Sequence, residues 1–278
     1  MDYVTPQELM AETLRAARRK ANLGIGDMLL RGALAGAFLG FATSLAFAVQ
    51  AQGLPAIVGA ILFPVGFVML VLLGLELATG NFAILPPAVA AGEISLRRLG
   101  RNWFWVYAGN LAGSVGYAAL YYLAITNCGA NSGGSLGDLL RAAAQKKTLG
   151  YMAAGGAGWA TALVKAVLCN WMVTVGALLA MASRSTIGKI AAMWLPILTF
   201  FAQGFEHSIV NMFVIPAGMF LHAPVSFGNW WLWNQIPVTL GNILSGSLLT
   251  GLALDSTFGD RPAHEPAAVP ELESLNAR

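Results

Sequence analysis

Apolar positions in this chain gather into long uninterrupted runs, and polar positions gather into the short stretches between them. A helix needs about 20 mainly apolar residues to cross the hydrocarbon core of a bilayer. The runs at 29–50, 54–91, 103–125, 150–182, 190–222 and 229–254 meet that length. The pattern predicts an all-α polytopic membrane protein with six transmembrane helices over 29–254. Ahead of them, 1–28 is amphipathic, with Asp2, Glu8 and Glu12 followed by a cluster of Arg and Lys. It has neither the short apolar core nor the small-residue cleavage site of a signal peptide, so it predicts an N-terminal helix lying at the membrane interface. After Leu254 the chain turns polar and carries Pro262, Pro266 and Pro270, which predicts a disordered tail over 255–278.

Composition sharpens this picture. Of 278 residues, 57% are hydrophobic and only 10% charged, against about a quarter charged in a soluble domain, which excludes an ordinary cytosolic enzyme. The net charge of +3 arises from 16 basic and 13 acidic residues, scattered in small clusters between apolar runs, so a nucleic-acid partner is not expected. Two cysteines, Cys128 and Cys169, make no disulfide framework and no metal spacing. Neither a metal nor another cofactor is expected.

The basic residues fix an orientation. Arg15, Arg18, Arg19, Lys20 and Arg31 precede or open the first span; Arg97, Arg98 and Arg101 lie between the second and third; Arg184 and Lys189 lie between the fourth and fifth; Arg261 and Arg278 are in the tail. The opposite side has only Arg141, Lys146 and Lys147, and Lys165 falls within a span. Both termini are therefore expected on the cytoplasmic side of a plasma membrane, the inner membrane of a bacterium.

The two halves of the chain echo each other. Pro64 precedes Glu76-Leu77-Ala78-Thr79-Gly80-Asn81, and Pro196 precedes Glu206-His207-Ser208-Ile209-Val210-Asn211; Glu and Asn are five apart in both. Asn102-Trp103 leads to Gly109-Asn110, and Asn229-Trp230 leads to Gly241-Asn242. Three spans separate the copies, so the halves enter from opposite sides, a 3+3 inverted repeat of the kind found in transporters. Gly74, the Thr79-Gly80-Asn81 run and Gly204 interrupt spans two and five, and irregular backbone at membrane depth is tolerated only against protein or a wet cavity. Each interruption leaves a half-helix N-terminus whose unpaired N–H groups favour an anion.

Glu76, Lys165, Glu206 and His207 are the ionisable residues expected within the membrane, where such groups are costly and are functional candidates by default. The symmetric Glu76 and Glu206 are expected to hydrogen-bond backbone N–H groups freed by the breaks, bracing the loops. His207 has no first-half counterpart, since Leu77 occupies that place. It suits proton exchange with a weak acid, and a helix-packing hydrogen bond stands equally beside that reading. Lys165 either attracts anions or snorkels to the interface. The Trp230-Trp231-Leu232-Trp233 run reads as an interfacial anchor.

Gly204-Phe205-Glu206-His207-Ser208-Ile209-Val210-Asn211-Met212-Phe213, with Leu168-Cys169-Asn170-Trp171-Met172-Val173 and Glu76-Leu77-Ala78-Thr79-Gly80-Asn81, closely resembles the formate/nitrite transporter family over residues 5–255. The resemblance implies an aquaporin-like six-helix protomer within a homopentamer, each protomer having its own pore for small monovalent anions. It implies that His207 is the central pore residue, with Thr79 and Asn170 as hydrogen-bonding companions, and that Glu206 braces the break. It places Phe63, Phe67 and Phe200 at an outer apolar constriction and Leu77, Ala78 and Val173 at an inner slit, where dehydration disfavours an ion more than a neutral acid. The vestibule cation that the family uses falls to Lys165, Lys146 or Lys147. Formate, nitrite and protons are the implied partners, with membrane lipids around the pentamer.

Two other classes compete. A neutral-solute facilitator of aquaporin type would carry Asn-Pro-Ala at both half-helices, and this chain has neither. A membrane enzyme using His207 and Ser208 would need them to face each other, which adjacent helical residues do not. Within the family, a bicarbonate- or hydrosulfide-selective member is the alternative to a formate or nitrite carrier.

Overall fold

The computed structural model describes residues 2–259. These residues are helical throughout, apart from turns and an isolated antiparallel bridge between Tyr3 and Ser183. The chain begins with α1 (Pro6–Ala21), opened by a Thr5 capping box with Glu8 and carrying Arg18, Arg19 and Lys20 in its last turn, the distribution that a helix dipole favours. Then come α2 (Ile25–Ala51), the short α3 (Ala56–Leu62) and α4 (Pro64–Leu72), α5 (Ala78–Ala90) and α6 (Leu96–Ile125). The second half has α7 (Gly134–Ala153), α8 (Gly155–Met181), α9 (Thr186–Ala202), α10 (Ser208–Phe220) and a final helix α11 (Phe227–Phe258). Helix α11 passes through π-helical turns at Trp231–Gln235 and Ser245–Leu252.

Three of these helices, α2, α8 and α11, are long and apolar enough to cross a membrane. Leu30, Phe104, Leu120 and Leu195 are more than 60% exposed. In water such side chains would be costly, and in lipid they are at home. Inside, polar residues are unusually prominent: Asn81, Asn102, Asn110, Asn170, Asn211, Asn234 and Asn242 are all essentially inaccessible, so each must be hydrogen-bonded.

Helices α2 and α6 pack along a seam of glycines. A Cβ at Gly113 would collide with the Ala33 carbonyl, and one at Gly36 with the Asn110 carbonyl. Only glycine permits that approach, a packing mode characteristic of helices in lipid.

The two interruptions are real and nearly identical. Helix α4 ends with Gly74 at φ +64°, where the Leu75 N–H donates to the Leu70 carbonyl and the Gly74 N–H to the Val71 carbonyl. Helix α9 ends with Gly204 at φ +65°, with Phe205 donating to Phe200 and Gly204 to Phe201. Both are Schellman caps, which need a left-handed residue that glycine supplies at no steric cost. The chain then runs extended through Leu77 (φ −117°) and His207 (φ −112°) into α5 and α10.

Several sequence expectations are corrected here. The span expected at 150–182 starts later: residues 150–153 end the 20-residue helix α7, which fills the preceding connection, and a turn at Ala154–Gly155 separates it from α8. Residues 25–28 belong to α2 rather than to the N-terminal segment, and 255–258 continue α11 rather than starting a tail; the remainder of the expected tail, from 260 on, lies outside the described residues. Pro64 parts α3 from α4, whereas Pro196 sits inside a continuous α9. The repeat partner of Asn102 is Asn234, not Asn229. Asn81 donates to the Asn102 side chain at 2.9 Å, and Asn211 donates to the Asn234 side chain at 2.9 Å. Asn229 instead closes a capping box with Ser226 at the start of α11.

Candidate functional site

The site forms where the two breaks meet. Extended residue His207 is the N-cap of α10, and its Nδ1 accepts the Val210 backbone N–H at 3.2 Å. A nitrogen that accepts a backbone N–H carries no proton of its own, so the neutral ring holds its hydrogen on Nε2. That nitrogen lies 3.1 Å from Thr79 Oγ1, on the first turn of α5. One hydrogen bond thus joins two half-helices whose residues lie 128 apart in sequence. A second proton on Nδ1 would have to displace the Val210 donor.

Asn170, midway along α8, ties the same point to α11. Its Nδ2 donates to the Thr79 carbonyl at 3.2 Å and to the Asn242 carbonyl at 2.7 Å. Its Oδ1 is buried and, among the described residues, has no hydrogen-bond partner; the same holds for the Ser208 hydroxyl beside His207. Buried polar atoms without partners are uncommon; among the described residues Ser114 Oγ, Asn211 Oδ1, Trp231 Nε1 and Ser245 Oγ share that condition.

On one side of His207 the walls are aromatic. The Phe200 ring stacks on the imidazole at a centroid separation of 5.8 Å, and Phe63 meets Phe200 edge-on at 5.7 Å. Phe67 lies in the same buried cluster, although no ring pair among the described residues includes it. Leu77, Ala78 and Val173 are buried in that cluster too.

The glutamates do something other than expected. Among the described residues neither carboxylate accepts a backbone N–H. Glu76 accepts from Lys20 Nζ and Asn81 Nδ2, both at 2.8 Å. Glu206 accepts from Lys147 Nζ and Asn211 Nδ2, both at 2.7 Å, and from the Tyr151 hydroxyl at 2.8 Å. Each lysine is held in turn, for its backbone carbonyl accepts from Asn102 or Asn234 at 3.0 Å. The two halves therefore share one circuit of lysine, glutamate and two asparagines, with Tyr151 as the one addition in the second half. A carboxylate this deeply buried is tolerable only with a cation and full hydrogen bonding.

The freed backbone is braced by residues that sequence reasoning noted as a repeat but gave no task. Asn110 accepts from the Ala78 N–H at 2.9 Å and donates to the carbonyls of Glu76 and Gly32. Asn242 accepts from the Ser208 N–H at 2.9 Å and donates to the carbonyls of Glu206 and Ala166. The Gly-Asn pair in each half was the signal. The half-helix N-termini are thus partly satisfied from within, and fewer N–H groups face the site than the interruptions alone predict.

The three lysines proposed for the vestibule separate. Lys147 is committed to Glu206, Lys165 meets the break through its carbonyl, which accepts the Glu206 N–H at 3.4 Å, and Lys146 is exposed. Among the described residues no three His, Cys, Asp or Glu side chains come together as metal ligands.

Comparison with known proteins gives a consistent answer. A family model described as formate/nitrite transporter matches residues 7–254. A probable formate transporter of Methanothermobacter thermautotrophicus is 38% identical over 265 residues, covering 88% of this chain and 94% of that protein. The formate channel FocA of Haemophilus influenzae is 32% identical over 274 residues, covering 90% and 93%. Among solved structures, an FNT family ion channel superposes with a TM-score of 0.76 at 30% identity, covering 91% of this chain and 98% of the other. A structure titled a pentameric formate channel with formate bound gives 0.68 at 27% identity, covering 88% and 98%. These relatives are channels and transporters rather than enzymes, and with the family model matching residues 7–254 and relatives above 30% identity covering nearly the whole length, the chain belongs to the formate/nitrite transporter family.

Proposed function

We propose that each chain is one pore of a homopentamer, with six crossings arranged as two inverted halves, passing small monovalent weak-acid anions, formate first and nitrite second. The observation that carries this reading is the Thr79–His207 contact at 3.1 Å between the two half-helices. It sits beside the unpartnered Asn170 Oδ1 and behind the Phe63–Phe200 aromatic wall. The termini lie on the cytoplasmic side of a bacterial inner membrane in this reading, and α1 rests on that face.

In the proposed mechanism an anion reaching the constriction made by Phe63, Phe67 and Phe200 must shed water, which costs an ion far more than a neutral acid. Protonation of the anion by hydronium from the bulk before that point, releasing water, sends the proton through on the neutral acid and makes the net event proton symport. His207 serves as the donor of one hydrogen bond through Nε2, since its Nδ1 is held by the Val210 N–H. Asn170 Oδ1 supplies an acceptor for an acid O–H. Leu77, Ala78 and Val173 close the path on the other side.

Uptake of labelled formate and nitrite by the purified protein in proteoliposomes tests this. Wild-type flux is expected to rise as external pH falls. His207→Asn, which keeps an N–H donor, should preserve that profile. His207→Phe, which removes the donor, should lower flux roughly tenfold, the scale of one lost hydrogen bond to a charged or strongly polar group. A His207→Asn protein whose flux no longer responds to pH would show that the imidazole itself carries the proton. Glycerol permeation without formate uptake would point to a neutral-solute facilitator.

A further inference from the structure

A cavity of about 460 Å³ lies away from the pore, between α1 and the turn joining α8 to α9. Four cationic side chains line it, Arg15 and Arg19 from α1 and Arg184 and Lys189 from the turn and the start of α9, against the carboxylates of Glu8 and Glu12. Positions 8, 12, 15 and 19 fall on one face of α1 by helical spacing, so the cavity is a designed meeting of one helix face with a distant turn. Glu8 is already used in the Thr5 capping box. Glu12 pairs with Arg15 at 2.8 Å.

Three guanidiniums line the cavity with that carboxylate, and Arg15 alone contacts it. The Arg15 hydrogen bond, and at longer range Arg19 and Arg184, hold the Glu12 carboxyl below its usual range. Among the described residues, the guanidiniums of Arg19 and Arg184 have no hydrogen bond or ion pair of their own. The turn itself is fixed in place. The Asp2 carboxylate accepts from the backbone N–H groups of Arg184 and Ser185 and from the Ser183 hydroxyl, and Val4 donates to the Ala182 carbonyl at 2.9 Å. These bonds, the Ser185 N–H foremost, hold the Asp2 carboxyl low, so the clasp stays ionised at neutral pH.

We infer that this cavity is a binding site for a phosphate group, gripped by Arg19 and Arg184 with Arg15 and Lys189 alongside, and that Glu12 occupies it in the absence of ligand. Guanidiniums match phosphate oxygens with two parallel N–H donors, and two of them close together favour a tetrahedral polyanion over a lone carboxylate. The cavity opens where α8, a helix long and apolar enough to cross a membrane, ends at Met181, and under the transmembrane reading proposed above that end emerges among lipid headgroups. The phosphate therefore arrives either on an anionic lipid or on a soluble metabolite.

The test uses the purified full-length chain in an uncharged detergent at fixed ionic strength. Inorganic phosphate is titrated by calorimetry, and short-chain phosphatidic acid is compared with phosphatidylcholine of the same chain length by native mass spectrometry. Saturable binding of inorganic phosphate assigns a soluble source; binding of phosphatidic acid alone assigns the membrane. In either case R19Q/R184Q should weaken binding at least tenfold, whereas R97Q/R101Q, an equal loss of charge elsewhere, should not. E12Q should tighten binding several-fold, a gain that no folding defect can produce. Absence of saturable binding by both probes overturns the proposal, as does unchanged affinity in R19Q/R184Q or in E12Q, or an equal loss in R97Q/R101Q.

Discussion

Lys147→Met is expected to be the most damaging single substitution in the chain, destabilising the folded protomer by about 3–5 kcal/mol, the cost of stranding a buried charge. Lys147 Nζ sits 2.7 Å from a Glu206 carboxylate whose side chain is only 3% exposed. Without it, Glu206 keeps Asn211 and Tyr151 as donors and loses the only cation within reach among the described residues. The measurement is the thermal midpoint and the pentamer fraction on size exclusion in detergent. Adding Glu206→Gln to Lys147→Met should recover much of the loss, because the neutral amide no longer needs a cation. A Lys147→Met protein as stable as wild type, or a double variant no better than the single, would show that the pair does not set stability.

Asn242→Ala should come second. The side chain accepts from the Ser208 N–H and donates to the carbonyls of Glu206 and Ala166. Truncation leaves a buried N–H and two buried carbonyls short of partners, at about 1–3 kcal/mol for each group. Partial compensation is expected, so a loss of about 3 kcal/mol is the working figure. The effect on transport should exceed that on assembly, since the freed residues flank His207. Formate flux per assembled pentamer is the quantity to follow, and Asn110→Ala should behave in the same way from the first half. Unchanged flux per pentamer in both variants would remove these asparagines from the pore's support.

What the sequence disclosed was local. Glycines at 74 and 204 and a Glu–Asn spacing of five in each half were enough to find both interruptions, because cap geometry is set within one turn of chain. The contact between Thr79 and His207 came from the family resemblance and not from spacing, since nothing local links residues 128 apart. The same is true of Lys20 with Glu76 and Lys147 with Glu206, 56 and 59 residues apart. Those lysines looked like topology signals on either side of the membrane. The misassigned partner of Asn102 has a different cause. Both Asn102–Asn110 and Asn234–Asn242 are eight apart, but the Asn-Trp dipeptide shared by Asn102-Trp103 and Asn229-Trp230 drew the alignment to the wrong asparagine. Glu76 and Glu206 misled for a chemical reason: a carboxylate is a natural acceptor for freed N–H groups, yet an amide supplies both an acceptor and a donor to a broken helix, and each break needs both.

The asparagine braces also bear on time scale. Amide hydrogens in the first turn of a helix ordinarily exchange with solvent quickly, because they lack an intrahelical acceptor. Ala78 and Ser208 each open a helix, yet their N–H groups are held at 2.9 Å by buried side chains. In deuterium exchange these two amides should persist like those of a helix centre. The middle of the bilayer would then hold a rigid frame, with motion on the transport time scale left to side chains such as Phe200 and His207 rather than to the broken backbone.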